Sequence, residues 1–136
     1  MAVFEIQYQG NLCTKCLLPD TNVELITEAP KPEKEKKNYF CPSDLLALSL
    51  ASCILTIFAK EANRLGLDVI GAKATVHKVM EKDPRRIKKL HVTVYCPKTF
   101  DSSVVAEIEK AAQECPVHKA IHPDVEQVLE FQWGEK

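Results

Sequence analysis

Residues 42–66, "PSDLLALSLASCILTIFAKEANRLG", decide the fold. Pro42 suits the first turn of a helix, where its missing N–H costs nothing, and Asp44 suits the positive end of the helix dipole. Gly66 is a natural C-terminal stop. Between them, apolar residues surround the helix in its middle two turns, so the spacing predicts a helix buried on most sides. A chain of 136 residues has little room to wrap a helix completely. The expectation is a dimer in which this helix packs on its own sheet and meets its mate. The apolar run at 45–59 is interrupted by Ser49, Ser52, Cys53 and Thr56, which reads as too short and too polar for a membrane span.

Outward from this helix, the pattern predicts strands on both sides. Residues 3–9 alternate and carry aromatic and branched side chains; Gly10-Asn11 supplies a turn; residues 12–18 and 22–27 continue as second and third strands. "EAPKPEKEKKN" (residues 28–38) has two prolines and mixed charge and reads as a solvated loop. After the helix, residues 68–81 and 87–97 form a hairpin around "KDPRR", with Leu90, Val92, Val94 and Cys96 on one face. Residues 101–114 make a second helix capped by Asp101, "PVHKAI" a short third, and "VEQVLEFQW" a last strand. Segregated hairpins and helices indicate a single α+β domain over residues 1–136.

The net charge is −1, which gives no basic footprint for nucleic acid. The N-terminal residues "MAVFEIQYQG" show neither a basic n-region nor an apolar h-region, so a reducing cytoplasm is expected. Six cysteines are then the anomaly, and thiol chemistry or metal binding reads better than a disulfide framework. Pro116 places Cys115 at the N-cap of a new helix, where unpaired N–H groups and the dipole stabilise a thiolate, with His118 and Lys119 adding positive charge. On this reading Cys115 is either a low-pKa thiol or a small buried cap residue. Cys53, taken alone, reads as core and inert.

The pairing of "FCPSDLLALSLASC" (residues 40–53) with "CPVHKAI" (residues 115–121) resembles the OsmC/Ohr superfamily, named for osmotically inducible and organic hydroperoxide resistance proteins. "ITEAP", "DPRRIKKLHVTV" and "HPDVEQVLEFQW" extend the resemblance over essentially the whole chain, towards a poorly described OsmC-like branch. The resemblance implies the OsmC α+β fold: curved antiparallel sheets wrapped around a long central helix in an intertwined homodimer, with two sites at the subunit interface. It implies that Cys53 is the peroxidatic thiol and Cys115 the resolving thiol, that a dithiol or lipoyl-type group reduces their disulfide, and that no metal or organic cofactor takes part.

The sequence departs from that pattern around Cys53. The family glutamate directly after the helix-opening proline is Ser43 here, and Asp44 is one residue further on, about 100° around the helix. The family arginine after G-x-L is Cys13 here, and Lys15 can replace its charge but not its bidentate fork. A Cys53 without a cationic neighbour ionises poorly, so a weak peroxidase or another thiol oxidoreductase is expected rather than an efficient one. If the fold holds, Cys13 should point towards Cys53. Two further readings stand beside this one: a non-enzymatic ligand-binding or structural OsmC-like protein, and a zinc or redox sensor built from Cys13, Cys16 and Cys41. Cys96 reads as core, Cys41 as a cap of the central helix, and His77 and His91 as solvated strand residues that face each other only if the hairpin register allows it.

Overall fold

In the computed structural model, residues 3–134 are described. They divide into two compact units with the boundary between Leu45 and Leu46. The first contains β1 (Glu5–Gly10), β2 (Cys13–Leu18) and β3 (Val23–Glu28), a three-stranded antiparallel meander. The β1–β2 turn uses Gly10, Asn11 and Leu12, all at positive φ. Glycine and asparagine adopt that conformation at little cost; a leucine there is uncommon.

Register sorts the meander into two faces. The rows Ile6–Cys16–Leu25 and Tyr8–Thr14–Thr27 align across the strands on the same one. Ile6 and Tyr8 are 63% and 64% exposed, and Val23 and Leu25 join them on this apolar, uncovered face. The charged loop after β3 is pinned rather than free. Glu28 is buried, and its carboxylate accepts the backbone N–H of Asn38 (2.9 Å) and Tyr39 (3.2 Å) and pairs with Lys31 (3.4 Å).

The long helix α1 (Pro42–Arg64, 23 residues) begins as expected. Asp44 accepts the Cys41 N–H at 3.0 Å, three residues back, and also pairs with Lys37. This is the reciprocal bond of a capping box with Asp in place of Glu. By length and composition α1 is apolar enough to cross a membrane, with a mean hydropathy of 1.7. The full helix outruns the interrupted apolar run read from sequence. Its stripe Ala47, Leu50, Ala51, Ile54, Phe58 and Ala62 is buried, whereas Leu46 and Leu48 remain exposed.

The second unit holds β4 (Lys73–Glu81), β5 (Arg86–Cys96), α2 (Ser102–Ala112), α3 (Pro116–Ala120) and β6 (Glu126–Trp133). β4 and β5 form the expected hairpin, with Leu90, Val92, Val94 and Cys96 buried. Its register does place His77 opposite His91. β6 then pairs with β5 in parallel, so this sheet is mixed rather than wholly antiparallel. The cause is the crossover: α2 and α3 carry the chain back to the end where β5 began. Residues 68–72 are a turn, not the start of β4. Asp68 caps the Ile70 N–H at 2.8 Å and the Ala72 N–H reaches Val69 O at 2.9 Å, while Gly71 takes a φ of +97°. Phe58, Phe131 and Trp133 stack α1 on the sheet; Ile108 and Ala112 add α2 to the same core.

Candidate thiol site

All six cysteines are free thiols. Two of them meet. Cys53 lies half-buried on α1 between the buried Leu50 and Ile54, and its thiol neighbours that of Cys115 closely enough to raise the Cys115 pKa. Cys115 is fully buried. After α2 the Glu114 N–H turns back to Ala111 O at 3.0 Å, and Cys115 is extended at φ −69°, ψ 128°. Pro116 then opens α3, so Cys115 is the N-cap that the sequence indicates. Its Sγ accepts the backbone N–H of His118 at 3.3 Å.

The expectation of a low-pKa Cys115 is not met. Burial and the Cys53 thiol push its pKa up, and the amides of His118 and Val117 offset only part of this. Nor do the expected cations attend it. Lys119 is drawn off to Glu114 at 2.6 Å, and the His118 ring bonds Gln127. The cap geometry was legible; the dry surround that outweighs it depends on tertiary packing.

The other candidates have partners within the first unit. Ser43 Oγ lies 3.4 Å from Cys41 Sγ, and Asp44 is engaged by Lys37 and Cys41. Lys15 is paired with Glu24 at 4.0 Å, and Cys13 Sγ faces Asn11 O at 3.6 Å. Cys13 and Cys16 both lie on β2, three residues apart, and so point to opposite faces of the sheet. Cys16 shares its face with Thr14 Oγ1, 3.8 Å away. The pair therefore cannot close on one ion as a C-x-x-C knuckle does. Among the described residues no three His, Cys, Asp or Glu side chains converge on a metal position. Arg64 is held by Glu61 and Glu107, and Arg86 by Glu81 and Asp124.

One participant was missed. Gln127 lies on β6 in the same row as Leu129, Phe131 and Trp133, all packed on the core. Its Nε2 donates to His118 O at 3.2 Å and its Oε1 meets His118 Nδ1 at 2.5 Å. A polar residue at the head of an apolar row was the available signal.

Fold and site together define a class: an α+β protein whose paired thiols join its central helix to the crossover before its last strand. The chain belongs to the OsmC-like protein family, whose sequence profile matches residues 34–130. A solved protein of Psychrobacter arcticus 273-4, provisionally assigned to osmotic-stress induction and detoxification response, is 39% identical, with 97% of this chain and 96% of that one covered at a TM-score of 0.89. Lower identities accompany the same fold. A Legionella pneumophila organic hydroperoxide resistance protein OsmC is 18% identical (97% and 96% covered, TM-score 0.71). OhrB of Bacillus subtilis, an organic hydroperoxide resistance protein, is 19% identical (97% and 98% covered, TM-score 0.69). No curated protein matches the sequence significantly.

Proposed function

We propose that this protein is a thiol-dependent oxidoreductase that reduces a hydroperoxide through Cys53 and Cys115 at the expense of a dithiol. The observation that carries the reading is the proximity of two free thiols, one half-buried and one enclosed. Family membership and the names of the Legionella and Bacillus relatives support a redox role. The Cys53 thiolate attacks the O–O bond of a hydroperoxide and becomes a sulfenic acid; the departing alkoxide takes a proton from water. Cys115 then attacks the sulfenic sulfur, forming the disulfide and releasing water. Two exchanges with a dithiol, such as a lipoyl group, return both thiols and leave the dithiol oxidised. The cycle suits a reducing cytoplasm.

The working form we propose is a homodimer. The uncovered apolar face of β1–β3 and the exposed Leu46 and Leu48 of α1 are surfaces of the kind a second copy buries. A second reading, binding of a small apolar ligand without catalysis, is favoured by a groove of about 620 Å³ between Leu46, Ile87, Val117 and Ile121. Consumption of tert-butyl hydroperoxide with dithiothreitol or dihydrolipoamide separates the two. The wild type is expected to turn over with either reductant, and Cys53→Ser to fall to the buffer rate. Equal rates for both proteins would remove Cys53 from the chemistry and leave the binding reading.

A further inference from the structure

We infer that Gln127 is a positioning residue for the Cys115 thiol and acts through His118. It deepens the reading of Cys115 as the resolving thiol and rests on it. Three bonds form a chain from β6 to the sulfur. Gln127 Nε2 donates to His118 O (3.2 Å), Gln127 Oε1 faces His118 Nδ1 (2.5 Å), and the His118 N–H donates to Cys115 Sγ (3.3 Å). One amide thus grips both the main chain and the ring of the residue whose N–H meets the thiol. α3 has five residues, too few to hold its own first turn firmly. Gln127, on a strand paired with β5, supplies the rigidity.

The grip also sets the imidazole. Because the Gln127 amide spends its N–H on a carbonyl, its oxygen faces the ring, and Nδ1 must carry the proton. The neutral ring is then the Nδ1–H tautomer, with Nε2 as the acceptor. The clamp is exposed on its outer side and borders a cavity of about 270 Å³ whose other walls include Leu50, Ile54, Val92 and Leu129. The ionisable neighbours of Cys115 are Cys53 on α1, His118 on α3, and the Glu114–Lys119 pair beside it.

In the resolving step, Cys115 gives up its proton as its sulfur bonds to the Cys53 sulfenic sulfur, and the hydroxyl leaves as water. A fixed N–H on Cys115 Sγ stabilises the charge that develops there. Without the clamp that donor drifts.

The test compares Gln127→Leu with Gln127→Glu. Cysteine 13Cβ chemical shifts give the Cys115 titration with no need for reagent access, and long-range 1H–15N spectra give the His118 tautomer. In Gln127→Leu the Cys115 midpoint should rise by up to about 0.7 pH and disulfide closure slow about fivefold, the effect of one hydrogen bond. The His118 tautomers should also mix. In Gln127→Glu a carboxylate facing Nδ1 favours the imidazolium, so the midpoint should instead fall. A purely structural role would lower the melting temperature of both variants without moving the midpoints apart. Midpoints unchanged from wild type in two folded variants overturn the inference. The titration needs no peroxide turnover, so it still reads the clamp if the peroxidase reading fails.

Discussion

Cys115 is enclosed, and its thiol holds its proton more tightly than an ordinary cysteine does. Burial is the larger cause and the Cys53 thiol the second, against the pull of two amides. The sign has two consequences. The fold favours the neutral thiol, so this contribution to stability is complete below the ordinary thiol range and is lost as pH rises through the raised value. Reactivity runs the other way, because the thiolate is the nucleophile. Once Cys53 has been oxidised by one equivalent of peroxide, disulfide closure should accelerate roughly tenfold per pH unit while Cys115 stays mostly protonated, and should keep rising past about pH 8.5. Acid quenching with thiol alkylation and mass spectrometry measures it. A rate that levels off near pH 7 would mean that another group ionises the thiol, and the burial argument would be wrong.

At the scale of elements, the segment between β3 and α1 shows how a charged, proline-rich stretch acquires a fixed course. Desolvation opposes ionisation of Glu28, but the Asn38 and Tyr39 amides and Lys31 together outweigh it and hold its carboxyl below the ordinary range. A depressed carboxyl anchors the loop fully above the ordinary carboxylate range and releases it as pH falls through the lowered value. Hydrogen-exchange protection factors at the Asn38 and Tyr39 amides, relative to the intrinsic rate at each pH, should therefore be high at neutral pH and fall in acid. Glu28→Gln should exchange several-fold faster at neutral pH and lose the acid dependence; unchanged protection would show that Glu28 does not hold the loop. Glu28 opens "EAPKPEKEKKN", but nothing in that stretch shows that its carboxylate meets the amides ten and eleven residues further on. Strong periodic segments were legible: β1 to β3, α1, the hairpin and both short helices appear where alternation, proline and glycine place them. Residues 68–72 misled because Val69 and Ile70 look like strand, while Asp68 and Gly71 make a turn. Asp101 stands at the N-cap of α2 as expected but makes no side-chain bond there. Of the site, the thiol pair was legible only through the family's motifs. The clamp was not, since nothing local says that an amide on β6 lies beside α3.

At the scale of the whole molecule, a three-stranded meander with an uncovered apolar face calls for a cover. If a second copy supplies it, Ile6→Lys with Tyr8→Lys should weaken the dimer by at least about a hundredfold, as expected for charges placed in an interface centre. Sedimentation velocity across a concentration series measures this. A wild type that stays monomeric at tens of micromolar would end the proposal of a homodimer. The parallel pairing of β5 with β6 carries a different consequence. A parallel neighbour cannot be added until its crossover is laid down, and here that crossover includes Cys115. Gln127 rides on the same last strand. During synthesis, Cys53 therefore emerges long before the structure that partners it. The ribosome must release all of β6 before this crossover is fixed. Non-local pairing of this kind forms late. A nascent chain carries an unguarded thiol, and a chain cut short before residue 115 would keep that thiol while losing both its neighbour and the strand that follows it.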